Sequence, residues 1–190
     1  MYEAAVELFI ARGYDNITMD EIAERADVAR ATVFNHFQRK VEFLHEWSAR
    51  RRQRAQDAIR RENLQSHSTR DILARYMHEL AILNEETRRE TVALMTATIH
   101  ATNILDSPYL VQEIAGYVRR GQNAGETRKG IDAEQVGVLL ATGYFATLNH
   151  WIKVDPHEFP LGPALEEMLK VVLHGIEEPR PQTARHHDDA

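Results

Sequence analysis

Between Thr18 and Lys40 the chain reads TMDEIAERADVARATVFNHFQRK, two short apolar-periodic runs joined by a tight polar turn. No other stretch restricts the possible folds as much. Thr18 can cap a first helix with its hydroxyl, and Glu21 stands three residues on, as a capping box requires. Ile22, Ala23 and Ala26 give that helix one apolar face, and Asp27 and Val28 then break the pattern. A second run from Ala29 to Phe34 follows, with Val33 and Phe37 pointing inward at helical spacing. Arg30, Thr32, Phe34, Asn35 and His36 are left facing outward. So short a second helix buries little by itself, so its outward face serves something other than core packing, and the major groove of DNA admits such a helix. Lys40 opens the next helix, where its ammonium has the reach of a phosphate. With Thr18, these six residues form the candidate DNA-contacting set.

The longer stretch AVELFIARGYDNITMDEIAERADVARATVFNHFQRKVEFL, Ala5 to Leu44, resembles the TetR family of one-component transcriptional regulators. It follows the family's pattern through a first helix, a Gly-Tyr turn, the helix-turn-helix and the start of a fourth helix. Ala29 stands where the family usually has Ser, which removes a phosphate contact or cap, and Ala31 stands where Gly is usual. Met1 falls inside the first helix without the basic residues that often precede it, which implies a truncated or late start. Beyond about residue 50 the similarity is one of layout. The resemblance implies an all-α fold in which residues 1–45 form a three-helix DNA-binding domain and residues 46–178 a helical effector-binding and dimerisation domain.

The net charge of −6 looks wrong for a DNA binder until it is divided along the chain. Residues 1–61 carry 11 Lys plus Arg against 10 Asp plus Glu, and the remainder carries 12 against 19, so the acid belongs to the second part. A chain of 190 residues is long enough to bury a substantial core. With no cysteine it has neither a disulfide framework nor a thiolate metal site. No apolar run approaches the ~18 residues of a membrane span, and no signal peptide precedes the first helix. A cytoplasmic protein without cofactor or metal is expected.

After the motif, Val41 to Asn63 reads as a connecting helix with a basic outer half, Arg50, Arg51, Arg52, Arg54, Arg60 and Arg61. Two readings compete for it, a second phosphate-facing surface and a solvated charged face. Ser66 to Ser68 begins a loop, Thr69 to Leu83 and Glu86 to Asn103 read as helices, and Pro108 suits the first turn of another. Gly121, Gly125 and Gly130 mark the loop after it. Two final helices, about Ala133 to Val154 and Glu158 to Glu177, flank an Asp155-Pro156 break, and the tail 179–190 lacks an apolar anchor and reads as disordered.

On the final pair, Val136, Leu140, Gly143 and Tyr144 share one face, and Leu165, Leu169, Val172, Leu173 and Ile176 repeat at helical spacing. These residues either close the core of one chain or, as the resemblance implies, form a four-helix bundle with a second copy. The middle helices would enclose an effector. Tyr76, Met77, Leu80, Met95, Thr98, Ile99, Tyr117, Phe145 and Asn149 are the candidate lining, apolar and aromatic with a few polar groups. Each one taken singly reads more readily as core than as a ligand contact, and Met discriminates least because it fills gaps in ordinary cores. His78, His100 and His150 have no chelating spacing on one helix.

Ser48, Ser66, Ser68 and Ser107 lie in no nucleophile-elbow motif, and there is no Gly-rich phosphate loop or paired-Cys zinc pattern, so enzyme chemistry is not expected. The reading that results is a homodimeric repressor of a palindromic operator on double-stranded DNA, released by a small apolar or amphipathic ligand. The alternative is a helical ligand-binding or protein-interaction dimer that does not bind an operator.

Overall fold

The structure, a computed structural model, describes residues 1–101, 109–153 and 159–174. Helices α1 (Tyr2–Arg12), α2 (Met19–Arg25) and α3 (Arg30–His36) make a head, and α4 (Val41–Arg61) leads out of it. A 3-10 turn at Leu64–Ser66 precedes α5 (Thr69–Glu86), α6 (Arg88–Ala101), α7 (Tyr109–Ala124), α8 (Ala133–Lys153) and α9 (Leu161–His174). The protein is all-helical, and no strand occurs among the described residues.

The head forms because its three helices each contribute a few large apolar groups to one small core. Phe9 of α1 packs edge-on against Phe43 of α4 at 6.2 Å, and Phe37 stacks on Phe43 at 4.0 Å. Ile17, Ile22 and Val33 fill the remaining space and are fully buried. The turn between α2 and α3 requires a left-handed residue, supplied by Asp27 at φ 53°, a conformation a short polar side chain tolerates. Arg25 of α2 reaches Glu7 of α1, and Arg12 of α1 reaches Glu21 of α2 at 2.7 Å. These exposed pairs add little beyond the apolar packing.

Helix α4 runs straight across the expected boundary at residue 45. Its first turns place Phe43, Leu44 and Trp47 in the head, and its later turns place Ala55, Ala58 and Ile59 against the body. One continuous apolar core therefore joins the two. In the body, α7 and α8 form the most extensive helix pair, and α5 packs on both α4 and α9. Gly137 of α8 lies so close to α7 that a Cβ would stand 2.5 Å from the Val111 carbonyl oxygen, so the small residues of α8 serve contacts inside the chain.

Several expected boundaries shift. Helix α5 continues past Leu83 to Glu86, and only Thr87 separates it from α6. Gly121 lies buried within α7 rather than in the following loop; Gly125 at φ 78° does follow the helix. Pro108, Ile176 and the tail 179–190 lie outside the described residues. No described helix is long and apolar enough to cross a membrane.

Candidate nucleic-acid interface and effector cavity

In the head, α3 buries Val33 and turns its other side outward. Asn35 and His36 are exposed, while Thr32 and Phe34 are half-buried. Arg30 lies 5.2 Å from the Phe34 ring centre and pairs with Asp20 of α2 at 2.9 Å. Ala29 offers no side-chain cap to α3. Thr18 does cap α2: its hydroxyl accepts the Glu21 N–H at 3.2 Å and donates to the Glu21 carboxylate at 2.9 Å. The Thr18 backbone N–H, then its hydroxyl, then Arg12 hold the Glu21 carboxyl below the usual carboxylate range.

Lys40 departs from expectation. Its ammonium donates to the carbonyls of Tyr14 at 2.7 Å and Ile17 at 2.9 Å, with Asp15 at 3.5 Å, and it sits 4.3 Å from the Tyr14 ring centre. The group is turned onto the α1–α2 connection, because three carbonyls there lack helical partners and an ammonium offers three donors. Arg39 beside it is the exposed cation, loosely paired with Glu42 at 3.6 Å. The sequence signal for Arg39 was its place directly after the second motif helix.

The arginine run of α4 divides: Arg50, Arg54, Arg60 and Arg61 are exposed, while Arg51 and Arg52 are turned into the fold. Arg50 reaches Glu3 of α1 at 3.2 Å and lies 3.8 Å from the Tyr2 ring centre. Arg51 is 8% exposed, lies 4.2 Å from the Trp47 ring centre, and donates to Thr87 at 2.6 Å, Thr91 at 3.0 Å and Glu90 at 3.2 Å. Burial pushes its pKa below the ordinary arginine value, with Glu90 opposing. Arg52 pairs with Glu113 of α7 at 3.4 Å, and Arg54 with Glu79 and Glu86 at 3.1 and 3.2 Å. Charge counting along the sequence missed this, since only the fold reveals which faces of α4 are covered.

Between α4, α5, α6, α7 and α8 lies a cavity lined by Trp47, Ser48, Arg51, Arg52, Leu80, Met95, Leu110, Tyr144, Phe145 and Leu148. Its free volume is about 30 Å³ as the side chains stand, room for little more than a water molecule. Of the expected lining, Leu80, Met95 and Phe145 are brought together here. The rest are not. Tyr76 is buried beside the cavity and donates its hydroxyl to Glu113, and Tyr117 lies 6.0 Å from the Tyr76 ring centre. Burial raises the Glu113 pKa, against the hydrogen bond from Tyr76 and the charge of Arg52. Met77 belongs to a separate groove between α5 and α9, Thr98 donates to the Leu94 carbonyl at 2.7 Å, and Ile99 packs on the core edge. Asn149 leaves a buried Oδ1 without a donor among the described residues and does not line the cavity.

A buried polar chain starts at this cavity. Asn84 donates to the Tyr144 hydroxyl at 3.0 Å, Thr91 donates to the Asn84 Oδ1 at 3.2 Å, and Arg51 donates to Thr91 at 3.0 Å. It links α8, α5, α6 and α4 in that order.

On the final helices the expected interface set divides. Leu140, Tyr144, Leu165 and Leu169 are buried within a single chain, so they are core and not an available surface. The missing Cβ of Gly143 faces Met168 of the same chain, whose sulfur would be 2.9 Å away. Val136, Val172 and Leu173 are half-buried against the core. What these helices expose instead is Val138 at 37%, Leu139 at 58% and Val171 at 45%. Helical periodicity located the apolar stripe but could not say which edge of it this chain already covers.

Residues 2–47 match the model described as bacterial regulatory proteins, tetR family. The HTH-type transcriptional regulator SrpR of Pseudomonas putida is 45% identical over 42 residues, which is 22% of this chain and only 20% of SrpR's length. The fatty acid metabolism regulator protein of Bacillus subtilis is 22% identical over 189 residues, 92% of each chain. Thermus thermophilus FadR, a TetR family transcriptional repressor solved in complex with lauroyl-CoA, superposes with a TM-score of 0.78 at 24% identity, over 95% of each chain.

Proposed function

We propose, from the match of residues 2–47 to the tetR family model of bacterial regulatory proteins, that this chain is a cytoplasmic repressor. It binds a palindromic operator as a homodimer and leaves it when a small amphipathic ligand enters the cavity beside α4. One observation carries this reading: α4 is anchored in the head by Phe43 and Leu44, while Trp47, Ser48, Arg51 and Arg52 of the same helix wall the cavity. A ligand that widens the cavity therefore acts on the helix that carries the head.

The division near residue 45 is functional under this reading, since the mechanical joint lies within α4. The exposed strip of Val138, Leu139 and Val171 is the proposed contact with a second copy. Two heads are needed because the half-sites they read lie roughly 34 to 36 Å apart, and a ligand shifts the equilibrium only by its differential affinity for the two conformers. Arg30, Thr32, Asn35 and His36 face the groove. As for the ligand, Thermus thermophilus FadR carries lauroyl-CoA, and a wall of Leu80, Met95, Leu110 and Leu148 faced by two arginines suits an acyl chain that bears a polar group. A fatty acyl thioester is the proposed effector class.

The test is fluorescence anisotropy with the promoter fragment adjoining the gene. Specific binding in excess competitor DNA, weakened at least tenfold by lauroyl-CoA, is expected. Thr32→Val should change preference among operator variants by about 1 to 3 kcal/mol if the hydroxyl meets a base edge. The rival reading, an interaction dimer without an operator, draws support from Lys40, whose ammonium is held by carbonyls; it predicts no specific retention of any fragment.

A further inference from the structure

Two N–H donors on one wall of the cavity have no acceptor among the described residues. The Trp47 Nε1 and Arg51 Nε atoms are buried and meet no hydrogen-bond partner there, whereas Arg52 Nε faces the Glu113 carboxylate at 3.4 Å. Both side chains line the same cavity, and Trp47 and Arg51 are only 3% and 8% exposed. They come from adjacent turns of α4, with the Arg51 guanidinium 4.2 Å from the Trp47 ring centre. Buried donors are nearly always satisfied, because a donor removed from water without an acceptor keeps its desolvation cost. Two such groups on one cavity wall mark the place of an acceptor that the described residues do not supply.

Charge decides what kind of acceptor. The other Arg51 nitrogens are held by Glu90, Thr87 and Thr91, and Arg52 faces Glu113 at 3.4 Å. Two guanidinium groups thus already have two carboxylates. A ligand carboxylate would add an uncompensated negative charge in a poorly hydrated site, and a ligand cation would meet two arginines and no open acceptor. A neutral oxygen with two lone pairs satisfies donors without disturbing that balance. Leu80, Met95, Leu110 and Leu148 continue the lining away from the polar wall and suit hydrocarbon.

We propose that Trp47 and Arg51 form a subsite for the uncharged carbonyl oxygen of an acyl group, so that the effector is recognised as an ester or thioester and not as a free acid or a hydrocarbon. This rests on the reading of the cavity as the effector site.

The experiment uses the full chain and matched twelve-carbon probes in titration calorimetry: lauroyl-CoA, its S-dodecyl thioether lacking only the carbonyl oxygen, and laurate. Lauroyl-CoA should bind roughly tenfold more tightly than the thioether, as the loss of a buried hydrogen bond predicts, and more tightly than laurate. Nuclear magnetic resonance supplies a direct readout, since the chain has two tryptophans. The Trp47 indole N–H signal should move downfield with the thioester and not with the thioether, with Trp151 as internal reference. Trp47→Phe, checked for folding by circular dichroism, should bring thioester affinity down to the thioether level. Equal affinity for thioester and thioether in the unmodified chain overturns the carbonyl subsite while leaving the effector reading in place, and so does tighter binding of laurate. Binding of none of the probes removes the effector reading and the subsite together.

Discussion

In the head, polar side chains close on partners within the head: Thr18 with Glu21 three residues on, and Lys40 with the carbonyls of Tyr14 and Ile17 on the α1–α2 connection. In the body, the arginines of α4 reach across to α6 and α7, and the Trp47 Nε1 and Arg51 Nε groups of that helix find no acceptor among the described residues. The difference separates a part that must hold its shape from a part able to change it. A recognition surface functions only if its side chains are held in register, which saturated hydrogen bonds achieve. A cavity with unsatisfied donors and a wall shared with the head is instead poised to respond to what enters it.

The largest effect should come from the body's core and asks whether the two parts unfold separately. Leu165→Ala, at a fully buried position on α9, should cost about 2 to 5 kcal/mol in urea unfolding. Because one apolar core runs along α4, far-ultraviolet circular dichroism and tryptophan fluorescence should report a single shifted transition. Two separate transitions would mean that head and body are independent.

Leu139→Glu tests the exposed strip. Placing a carboxylate in a dimer contact costs about 3 kcal/mol or more, so light scattering should show monomers at concentrations where the unmodified chain is dimeric, with the melting profile of the monomer unchanged. Leu169→Glu should behave differently and unfold the chain, since Leu169 is core. An unchanged dimer for Leu139→Glu would move the interface to another face.

Lys40→Ala sharpens the account of the head. If the ammonium serves the α1–α2 connection, the variant should lose about 1 to 3 kcal/mol of stability, with the salt dependence of DNA binding unaltered. A stable variant whose salt slope falls by about 1 would put Lys40 on a phosphate instead.

The smallest effect belongs to the capping box. Thr18→Ala should cost about 0.5 to 2 kcal/mol. Glu21 is held below its ordinary pKa chiefly by Thr18, so its contribution is present above the unfolded value and is lost as pH falls through the folded one. The stability gap between the unmodified chain and Thr18→Ala, followed by thermal melts, should therefore narrow in acid. A gap that widens in acid would remove Glu21 from the cap.

How much of this was readable from the chain depends on the range of the interactions involved. The capping box, the turn at Asp27, the inward Val33 and Phe37, and the all-helical class follow from residues three or four positions apart, where spacing and geometry are the same thing. The stripe along α8 and α9 was visible for that reason too. Its division into a core edge with Leu140, Tyr144, Leu165 and Leu169 and an exposed edge with Leu139 and Val171 was not, because it depends on where α5 and α7 lie. The same holds for Lys40, whose acceptors stand 23 or more residues earlier, and for Arg51, whose partners stand 36 or more residues later. A pattern along one helix states which side chains share a face. Which face is covered, and by what, is set by the crossing of helices distant in sequence, so two arginines of one charge run, Arg51 and Arg52, become in the tertiary structure part of the cavity wall while Arg54, Arg60 and Arg61 stay exposed.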